Sequence, residues 1–262
     1  MNVLDTIIEY KKSVVRNRKS EIKYSELEKR KLFSEESISL KQALMNKRET
    51  GIIAEFKRRS PSKGVINDKA EIVKVVKAYE VNGAAGISVL TDQEYFGGSD
   101  EDFLKARGTV DIPLLRKDFI IDEYQLVESK SIGADVVLLI AACLTPAETK
   151  KLAVAAKNLG MEILLELHDE KELDHVNDAV TLIGINNRNL KNFGVDTEQS
   201  IRLAEKIPAD FIKIAESGIN SVDMIQLFRK CGFNGFLIGE YFMKEADPGE
   251  AFRQFVSGLK SR

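Results

Sequence analysis

The feature that most constrains the fold is a pattern that repeats eight times after Gly51. In each repeat a short apolar segment is followed by a turn and an amphipathic stretch, and then the next apolar segment begins. Several segments are continuous runs of β-branched residues or leucine, which are typical of strands buried on both faces. Strands that alternate with helices predict a parallel sheet with crossover helices. The eight candidate strands are 52–57, 86–90, 113–118, 135–140, 162–167, 181–186, 211–216 and 235–239.

Helix-start signals recur between these segments. A short polar side chain that accepts a backbone N–H, followed three residues later by Glu or Gln, forms a capping box. Such pairs are Asp68 with Glu71, Asp122 with Gln125, Asp169 with Glu172 and Asp196 with Gln199. Thr145 and Asp247 are each followed by proline, which favours the first position of a helix. These starts predict a helix after most strands.

Eight strand–helix units fit either a closed barrel or an open doubly wound sheet. The first candidate strand is followed by FKRRSPSKG, which lacks the glycine pattern of a dinucleotide-binding sheet. The length of 262 residues is close to the roughly 250 of a (β/α)8 barrel. We therefore predict one domain over residues 1–262, an α/β fold of the (β/α)8 TIM-barrel type with eight βα units over 51–262.

Residues 1–50 do not fit the repeat and are predicted to form an N-terminal helical extension. Asp5 is a candidate cap for a helix with Ile7, Ile8, Val14 and Val15 on one face. The stretch 37–48 carries Leu40, Ala43 and Leu44 at helical spacing. The extension has too few apolar residues for its own core. We expect deletion of residues 1–44 to spare the barrel and to weaken substrate binding.

Composition excludes several classes of function. The net charge of −2 gives no basic surface for nucleic acid. The N-terminal segment carries scattered charges and no long apolar run, which argues against a signal peptide or a membrane span. Cys143 and Cys231 lie far apart, and His168 and His175 are the only histidines, so the sequence predicts no metal site. A cytoplasmic protein that binds a small molecule, either a monomer or a weak homo-oligomer, is the expected class.

Polar residues end six of the candidate strands. In a barrel, the carboxyl ends of the strands surround the active site. Lysines, an arginine and glutamates that converge there suit acid–base chemistry on an anionic substrate, provided that neighbouring charges and burial lower the pKa of a lysine. The alternative is that they form ion pairs that stabilise the barrel rim. The strand-end candidates are Glu55, Lys57, Lys117, Glu166, Asn186, Arg188, Glu216 and Ser217.

A phosphate site is predicted after the last two strands. Gly218 and Gly239 follow strands seven and eight, where barrels often bind phosphate on backbone N–H groups. The alternative is that each glycine is an ordinary turn residue without a role in phosphate binding. Ser60 lies in the polar loop 58–64, which either closes over a ligand or is merely exposed. His168, Cys143 and Cys231 are interpreted as structural residues.

Together these motifs resemble the indole-3-glycerol phosphate synthase family. The resemblance extends over nearly the whole chain after residue 50, and the N-terminal extension is similar to the one this family carries. The matching stretches are IIAEFKRRSPSKG (52–64), SVLTDQEYFGGS (88–99), LLRKDFIIDEYQL (114–126), GADVVLLIAACL (133–144), LLELHDEKEL (164–173), IGINNRNL (183–190), AESGI (215–219) and FLIGEYFM (236–243).

The resemblance implies that the substrate is 1-(2-carboxyphenylamino)-1-deoxyribulose 5-phosphate and that no metal or organic cofactor takes part. It implies that Lys117 is the general acid at the sugar carbonyl, and that Glu166 and Lys57 are acid–base groups. The catalytic set implied in this way is Lys117, Glu166, Lys57, Glu55, Asn186 and Glu216. Ser60, Arg188 and Ser217 are implied to bind substrate, and Lys57, Gly218, Gly239 and Glu240 to bind phosphate.

Three positions depart from the pattern of many relatives. Asn187 and Asn189 stand where serine and aspartate are expected. Glu240 stands where some relatives carry a small hydroxyl residue, which leaves a phosphate contact there to the backbone alone.

Two other functions compete with this interpretation. One is a sugar-phosphate isomerase or aldolase on the same fold, with Lys117 or Lys213 as a Schiff-base lysine. The other is a non-catalytic protein that holds an anthranilate-like ligand. The intact set of Glu55, Lys57, Lys117 and Glu166 argues against the second.

Overall fold

A closed barrel of eight parallel strands forms the centre of the molecule, as the sequence predicts. The computed structural model describes residues 3–46, 50–188 and 194–261. The strands follow chain order around the barrel, and the first pairs with both the second and the eighth. They are β1 Ile52–Phe56, β2 Gly86–Leu90, β3 Leu114–Lys117, β4 Val136–Ile140, β5 Glu162–Leu167, β6 Leu182–Asn186, β7 Ile212–Glu216 and β8 Gly235–Ile238.

Helices surround the barrel and also precede it. The loop after β1 contains a two-stranded antiparallel hairpin, Arg59–Ser60 with Gly64–Val65. Short 3₁₀ helices lie at Lys31–Ser34, Ala141–Cys143 and Glu170–His175. The α-helices are α1 Val3–Glu21, α2 Tyr24–Leu27, α3 Leu40–Met45, α4 Ile72–Val81, α5 Gln93–Phe96, α6 Asp100–Arg107, α7 Glu123–Ser131, α8 Pro146–Asn158, α9 Thr197–Lys206, α10 Val222–Lys230, α11 Glu240–Met243 and α12 Pro248–Lys260.

Most of the predicted helix caps are confirmed. Asp122, Asp196 and Asp247 each accept a backbone N–H at the start of α7, α9 and α12. Thr145 and Glu148 form the complete reciprocal box at α8. These contacts satisfy N–H groups that have no partner within the helix.

Two of the predicted helix starts differ in the structure. The prediction for Asp68 is wrong, because α4 begins at Ile72 and the side chain of Asn67 accepts the N–H groups of Lys69 and Ala70 instead. Asp169 does cap a helix, but that helix is the 3₁₀ turn Glu170–His175 and not an amphipathic α-helix. The fifth unit therefore differs from the other units in the described part of the chain.

The first part of the extension is the long helix α1. The prediction that Asp5 caps it is wrong, because the helix already includes Val3 and Asp5 lies within its first turn. Ile7 and Val15 are buried on the face that contacts the barrel, as the spacing predicts. None of the described helices is long and apolar enough to cross a membrane.

The second part of the extension, α3, fills the opposite end of the barrel. Its Leu40 side chain packs at Gly86, where β2 begins, and Leu44 packs at Gly235, where β8 begins. Both leucines join the apolar cluster inside the barrel, at 1% and 7% exposure. Lys47 and Arg48, at the end of the predicted helical stretch, lie outside the described residues. The expectation that residues 1–44 can be removed without harm to the barrel is therefore revised, because this cut would uncover the barrel interior.

We expect Leu44→Ala to lower the free energy of unfolding by about 2–5 kcal/mol, the range for a buried leucine truncated to alanine. Met45 is the matched control, since it is the next residue of the same helix and is 56% exposed. Met45→Ala should change the free energy of unfolding by no more than about 0.5 kcal/mol. Urea unfolding of both variants measures the difference, and equal stability of the two variants would contradict the role of α3 as a plug.

Candidate active site

The twelve residues given catalytic, substrate-binding or phosphate-binding roles in the sequence analysis meet in one cavity at the carboxyl ends of the strands. The cavity has a volume of about 330 Å³. The twelve that line it are Glu55, Lys57, Ser60, Lys117, Glu166, Asn186, Arg188, Glu216, Ser217, Gly218, Gly239 and Glu240. Convergence from separate parts of the chain follows from the barrel, because parallel strands all end on the same side.

A buried lysine between two carboxylates lies at the centre of this cavity. The Nζ atom of Lys117 donates to Glu216 Oε2 at 2.5 Å and to Glu166 Oε2 at 3.3 Å. These residues lie near the ends of β3, β7 and β5, and Glu55 projects from β1. Alternate strands supply each layer of four side chains inside a barrel, so these four residues match a layer from the odd strands. In this layer charged residues take the place of the usual branched apolar residues.

Two glycines, one in β6 and one just after β8, leave room for these carboxylates. A Cβ atom at Gly184 of β6 would lie 2.0 Å from Glu216 Oε1. A Cβ atom at Gly239, just after β8, would lie 2.5 Å from Glu55 Oε1. Real Cβ atoms do not approach this closely, so the absence of a side chain at both positions is a steric requirement for the charged layer. Gly239 therefore has a packing role besides the phosphate role predicted for it.

The two carboxylates that bind Lys117 have opposite pKa shifts. Burial and the adjacent charge of Glu166 raise the pKa of Glu216 to about 7, against the lowering effect of Lys117. Burial would also raise the pKa of Glu166, but Lys117, His168 and Asn186 outweigh it and hold that pKa far below its usual range. Glu166 is therefore ionised near neutrality, while Glu216 holds a proton for much of the time.

The pKa of Lys117 shifts in the direction opposite to the expectation. Burial lowers it, but the charges of Glu216, Glu166 and Glu55 outweigh burial and raise the pKa above its ordinary value. The expectation of a lowered pKa was wrong because the sequence does not reveal how many carboxylates surround one lysine. In this state of the molecule Lys117 is an ammonium.

A second ion pair lies beside the central group. The Nζ atom of Lys57 lies 2.6 Å from Glu55 Oε1. Residues 55 and 57 alternate along β1 and its extension, so both reach the cavity. This pair holds Lys57 in place. Burial by itself would raise the pKa of Glu55, but the charges of Lys57 and Lys117 outweigh burial and lower it.

Arg188 links the loops at the other side of the cavity. Its guanidinium donates to Ser62 Oγ at 2.9 Å and to Glu240 Oε2 at 3.0 Å. Ser62 in turn lies 3.4 Å from Ser60 Oγ, within the hairpin loop after β1. The departure at Glu240 thus supplies a carboxylate partner for Arg188. Arg188 and Glu240 join the β1 loop to the turn after β8.

The turn after β7 has an unusual backbone. Ser217 has φ +66° and Gly218 has φ +73°, two consecutive residues in the left-handed region. This conformation costs energy for a non-glycine residue and persists only where its surroundings hold it. The side chain of Asn187 donates to the Ser217 carbonyl at 2.8 Å and provides such support. Asn187 belongs to the loop after β6, and Asn189, the other departure in that loop, lies outside the described residues.

The apolar part of the cavity was missed by the sequence analysis. Leu138 and Ile140 of β4, together with Phe96 at the end of α5 and Phe119 after β3, form part of its lining. Val3, Leu4 and Ile7 of α1 also line it, so α1 covers the mouth of the barrel. Side chains alternate between the two faces of a strand, so Leu138 and Ile140 of β4 both point into the barrel. This alternation was the sequence signal for these two residues.

A buried lysine of α1 joins this helix to the barrel. Lys11 Nζ lies 2.7 Å from both Asp92 Oδ2 and Asp118 Oδ1, and its side chain is only 6% exposed. Lys11 lies four residues from both Ile7 and Val15, on the buried face of the helix. A charge in that apolar stripe was the sequence signal for a buried ion pair, and it was overlooked.

The three residues interpreted as structural, and the second histidine, differ in what they contact. His168 lies beside Glu166, with 3.1 Å between His168 Nε2 and Glu166 Oε1. Cys143 and Cys231 are half-buried free thiols. His175 is buried and its Nδ1 lies 2.8 Å from Thr149 Oγ1. Of these residues, His168 forms an ion pair with Glu166, a carboxylate of the central group.

Comparison with known proteins identifies relatives over the whole length. The family model for indole-3-glycerol phosphate synthase matches residues 4–255. The chain is 46% identical to the indole-3-glycerol phosphate synthase of Bacteroides thetaiotaomicron over 259 residues, which covers 99% of each chain. It is 43% identical to that of Salinibacter ruber over 254 residues, covering 96% of this chain and 94% of the relative.

Solved structures support the fold. The tryptophan synthase alpha subunit of Legionella pneumophila superimposes with a TM-score of 0.62 at 13% identity, covering 85% of this chain and 97% of that one. KGPDC from Streptococcus mutans gives 0.60 at 17% identity, covering 80% and 97%. At such low identity the likeness concerns the barrel alone.

The ion pairs of Lys11 give a test of how α1 is held over the cavity. In Lys11→Met, Asp92 and Asp118 lose a buried partner, which costs about 3–5 kcal/mol and should loosen α1. Hydrogen exchange of the amides in α1 should therefore become faster. Lys12 is the control, because it is the next residue and its pair with Glu9 is exposed on both sides. If α1 exchanges equally slowly in Lys11→Met and Lys12→Met, Lys11 does not hold the helix.

Proposed function

This chain belongs to the indole-3-glycerol phosphate synthase family, and we propose that Lys117, Glu166 and Glu216 carry out the proton transfers of the family's reaction. The enzyme closes the ring of 1-(2-carboxyphenylamino)-1-deoxyribulose 5-phosphate and releases carbon dioxide and water to form indole-3-glycerol phosphate. The observation that supports the residue roles is the buried ammonium held between two carboxylates whose pKa shifts are opposite. Such a pair offers one acid and one base at the same pH.

The two ends of the cavity suit the two ends of the substrate. The apolar lining of Leu138, Ile140 and Phe119 fits an aromatic ring. Gly218, Gly239 and Ser217 offer backbone and hydroxyl groups to the phosphate, and Arg188 offers positive charge. Bound in this way, the substrate brings its ketone to the charged layer between the two ends.

Ring closure requires a proton on the ketone oxygen while an aryl carbon attacks the ketone carbon. Lys117 supplies it, because the alkoxide that develops is a stronger base than a lysine amine, even one with a raised pKa. Glu216 can then return a proton to Lys117 through their 2.5 Å hydrogen bond. The new carbon–carbon bond forms as the C=O π bond breaks, and its electron pair takes up the proton.

Loss of carbon dioxide then restores the aromatic ring. The final dehydration needs a base to take a proton from the new ring and an acid to protonate the departing hydroxyl group. Glu166 is the base, since it is ionised and receives hydrogen bonds from Lys117 and Asn186. Lys57 is the acid, and Glu55 orients its ammonium. Ser60, in the hairpin loop after β1, binds the substrate from the side of the cavity where Lys57 lies.

Several further expectations belong to the same proposal. The chain acts as one domain over residues 1–262, and it needs no metal or organic cofactor. It works in the cytoplasm on a small phosphorylated substrate, as a monomer or a weak homo-oligomer, without nucleic acid or membrane as partner. Glu240 contributes backbone to the phosphate site while its carboxylate pairs with Arg188.

A Schiff-base enzyme on this fold is disfavoured by the charge state of the lysines. A Schiff base needs a neutral amine, and the surrounding carboxylates keep Lys117 protonated. Lys213 donates to the Ala204 carbonyl at 2.6 Å and is not among the residues that line the described cavity. Borohydride added with substrate should therefore leave no reduced adduct on either lysine.

Lys117→Met gives the sharpest test of the proposed acid, in an assay that follows indole fluorescence. The substitution keeps most of the stem but removes the proton, so turnover should fall by roughly 10²–10⁴-fold. The KM should change less, since the lost interaction strengthens mainly in the transition state. Lys213→Met is the control, because Lys213 lies on β7 away from the cavity, and it should stay within a few-fold of the wild type.

The alternative is that Lys117 only stabilises the barrel through its ion pairs. That alternative requires a lower melting temperature and modest kinetic damage. A Lys117→Met protein with nearly wild-type turnover would rule out Lys117 as the essential acid. A wild-type chain that forms no indole product at all would rule out the function itself.

A further inference from the structure

His168 lies directly behind Glu166 and outside the cavity. The two residues are two positions apart at the end of β5, so both project to the same side. The Nε2 atom of His168 lies 3.1 Å from Glu166 Oε1, and its side chain is 11% exposed. His168 is not among the described residues that line the cavity. Any effect on the reaction must therefore pass through Glu166.

A second carboxylate, Glu172, lies on the other side of the imidazole ring. Its Nδ1 atom lies 3.5 Å from Glu172 Oε2, the same oxygen that accepts the backbone N–H of His168 at 2.6 Å. The 3₁₀ helix capped by Asp169 brings Glu172 back to this position. In addition, the His168 carbonyl accepts from Gln199 Nε2 at 3.1 Å. The main chain of His168 is thus held by hydrogen bonds on both sides, and the ring lies between two carboxylates.

A ring that lies between two carboxylates is favoured as a cation. Burial lowers the pKa of His168, but Glu166 and Glu172 outweigh burial and raise it to about 10. His168 therefore places a second positive charge beside Glu166 near neutral pH. Positive charge next to a carboxylate favours its ionised form.

The charge around the two carboxylates is unequal. Lys117 from β3 contacts both carboxylates but lies closer to Glu216, so by itself it does not explain why Glu166 is the one that stays ionised. Glu166 Oε1 accepts a hydrogen bond from the amide of Asn186 of β6, and His168 Nε2 lies 3.1 Å from the same oxygen as a nearby positive charge. By contrast, Glu216 Oε1 is buried and has no hydrogen-bond partner among the described residues.

The remaining titratable neighbours do not alter this difference. Glu55 of β1 faces the group as an ionised carboxylate, because Lys57 and Lys117 lower its pKa despite burial. Cys143, after β4, faces Glu166 and Glu172 as a neutral thiol, since burial raises its pKa. His168 is therefore the charged group that distinguishes Glu166 from Glu216.

We propose that His168, as an imidazolium, is a positioning residue that keeps Glu166 ionised as the base and directs the shared proton to Glu216. This inference rests on the proposed roles of Glu166 and Glu216. It gives the β5 histidine a part in the reaction, although the ring does not touch the substrate.

The first test compares pH profiles of wild type and His168→Gln. Without the cation, Glu166 should take up a proton at higher pH, so the acidic limb of kcat/KM should move upward by about one pH unit or more. The loss of kcat should therefore be greatest on the acidic side of the profile and small near pH 8, while KM changes little. His168→Lys restores a positive charge and should move the acidic limb back toward the wild type.

His175→Gln is the matched control, because His175 is buried against Thr149 and does not contact Glu166. It is expected to lower the melting temperature without moving the acidic limb. An acidic limb of His168→Gln that stays within about 0.3 pH unit of the wild type, a twofold change in the acid constant, would overturn the proposal. So would equal shifts of the acidic limb in His168→Gln and His175→Gln.

A second measurement needs no change at residue 168. Nitrogen-15 NMR of the imidazole rings distinguishes an imidazolium from a neutral ring, and His175→Gln assigns the signals. Near pH 8, His168 should be an imidazolium in the wild type, and a neutral ring would overturn the proposal. This NMR measurement does not depend on turnover. A neutral His168 ring would contradict the proposal for His168 alone, whereas an inactive wild-type enzyme would contradict the proposed function.

Discussion

The ammonium of Lys117 between Glu166 and Glu216 is the interaction on which the rest of the site depends. Three buried charged groups at the end of a barrel are costly unless each is paired. Here the partners are unequally shared, because Glu55 has Lys57 and Glu166 has His168 beside it, while Glu216 has Lys117 as its charged partner. Burial raises the pKa of Glu216 despite Lys117, which makes Glu216 the carboxyl group of the three that can hold a proton for the chemistry.

The barrel accommodates this group through features that are remote from it in sequence. Gly184 and Gly239 remove the side chains that would collide with Glu216 and Glu55. The helix α1 covers the cavity and is joined to the strand ends by Lys11. The helix α3 closes the opposite end with Leu40 and Leu44. The extension therefore closes the barrel at both ends.

The repeat of buried strands predicted the barrel and the place of every candidate residue, because strand ends are local features of the sequence. Asp68 failed as a cap since Asn67 competes for the same N–H groups, a choice that depends on packing. The partners of Lys11 are brought close only by the fold, although its place in an apolar stripe was a signal. His168 was missed although both of its carboxylate neighbours lie within four residues of it in the chain. The raised pKa of Lys117 was missed because its carboxylates come from three other strands.

The most direct measurement of the central claim is a carbon-13 NMR titration of the glutamate carboxyl groups, assigned with Glu166→Gln and Glu216→Gln. We expect the signal of Glu216 to titrate near pH 7, while Glu166 stays ionised to a far lower pH. A proton on Glu166 near neutral pH would contradict the account. So would a Glu216 that is already mostly ionised at about pH 5, as an ordinary glutamate is.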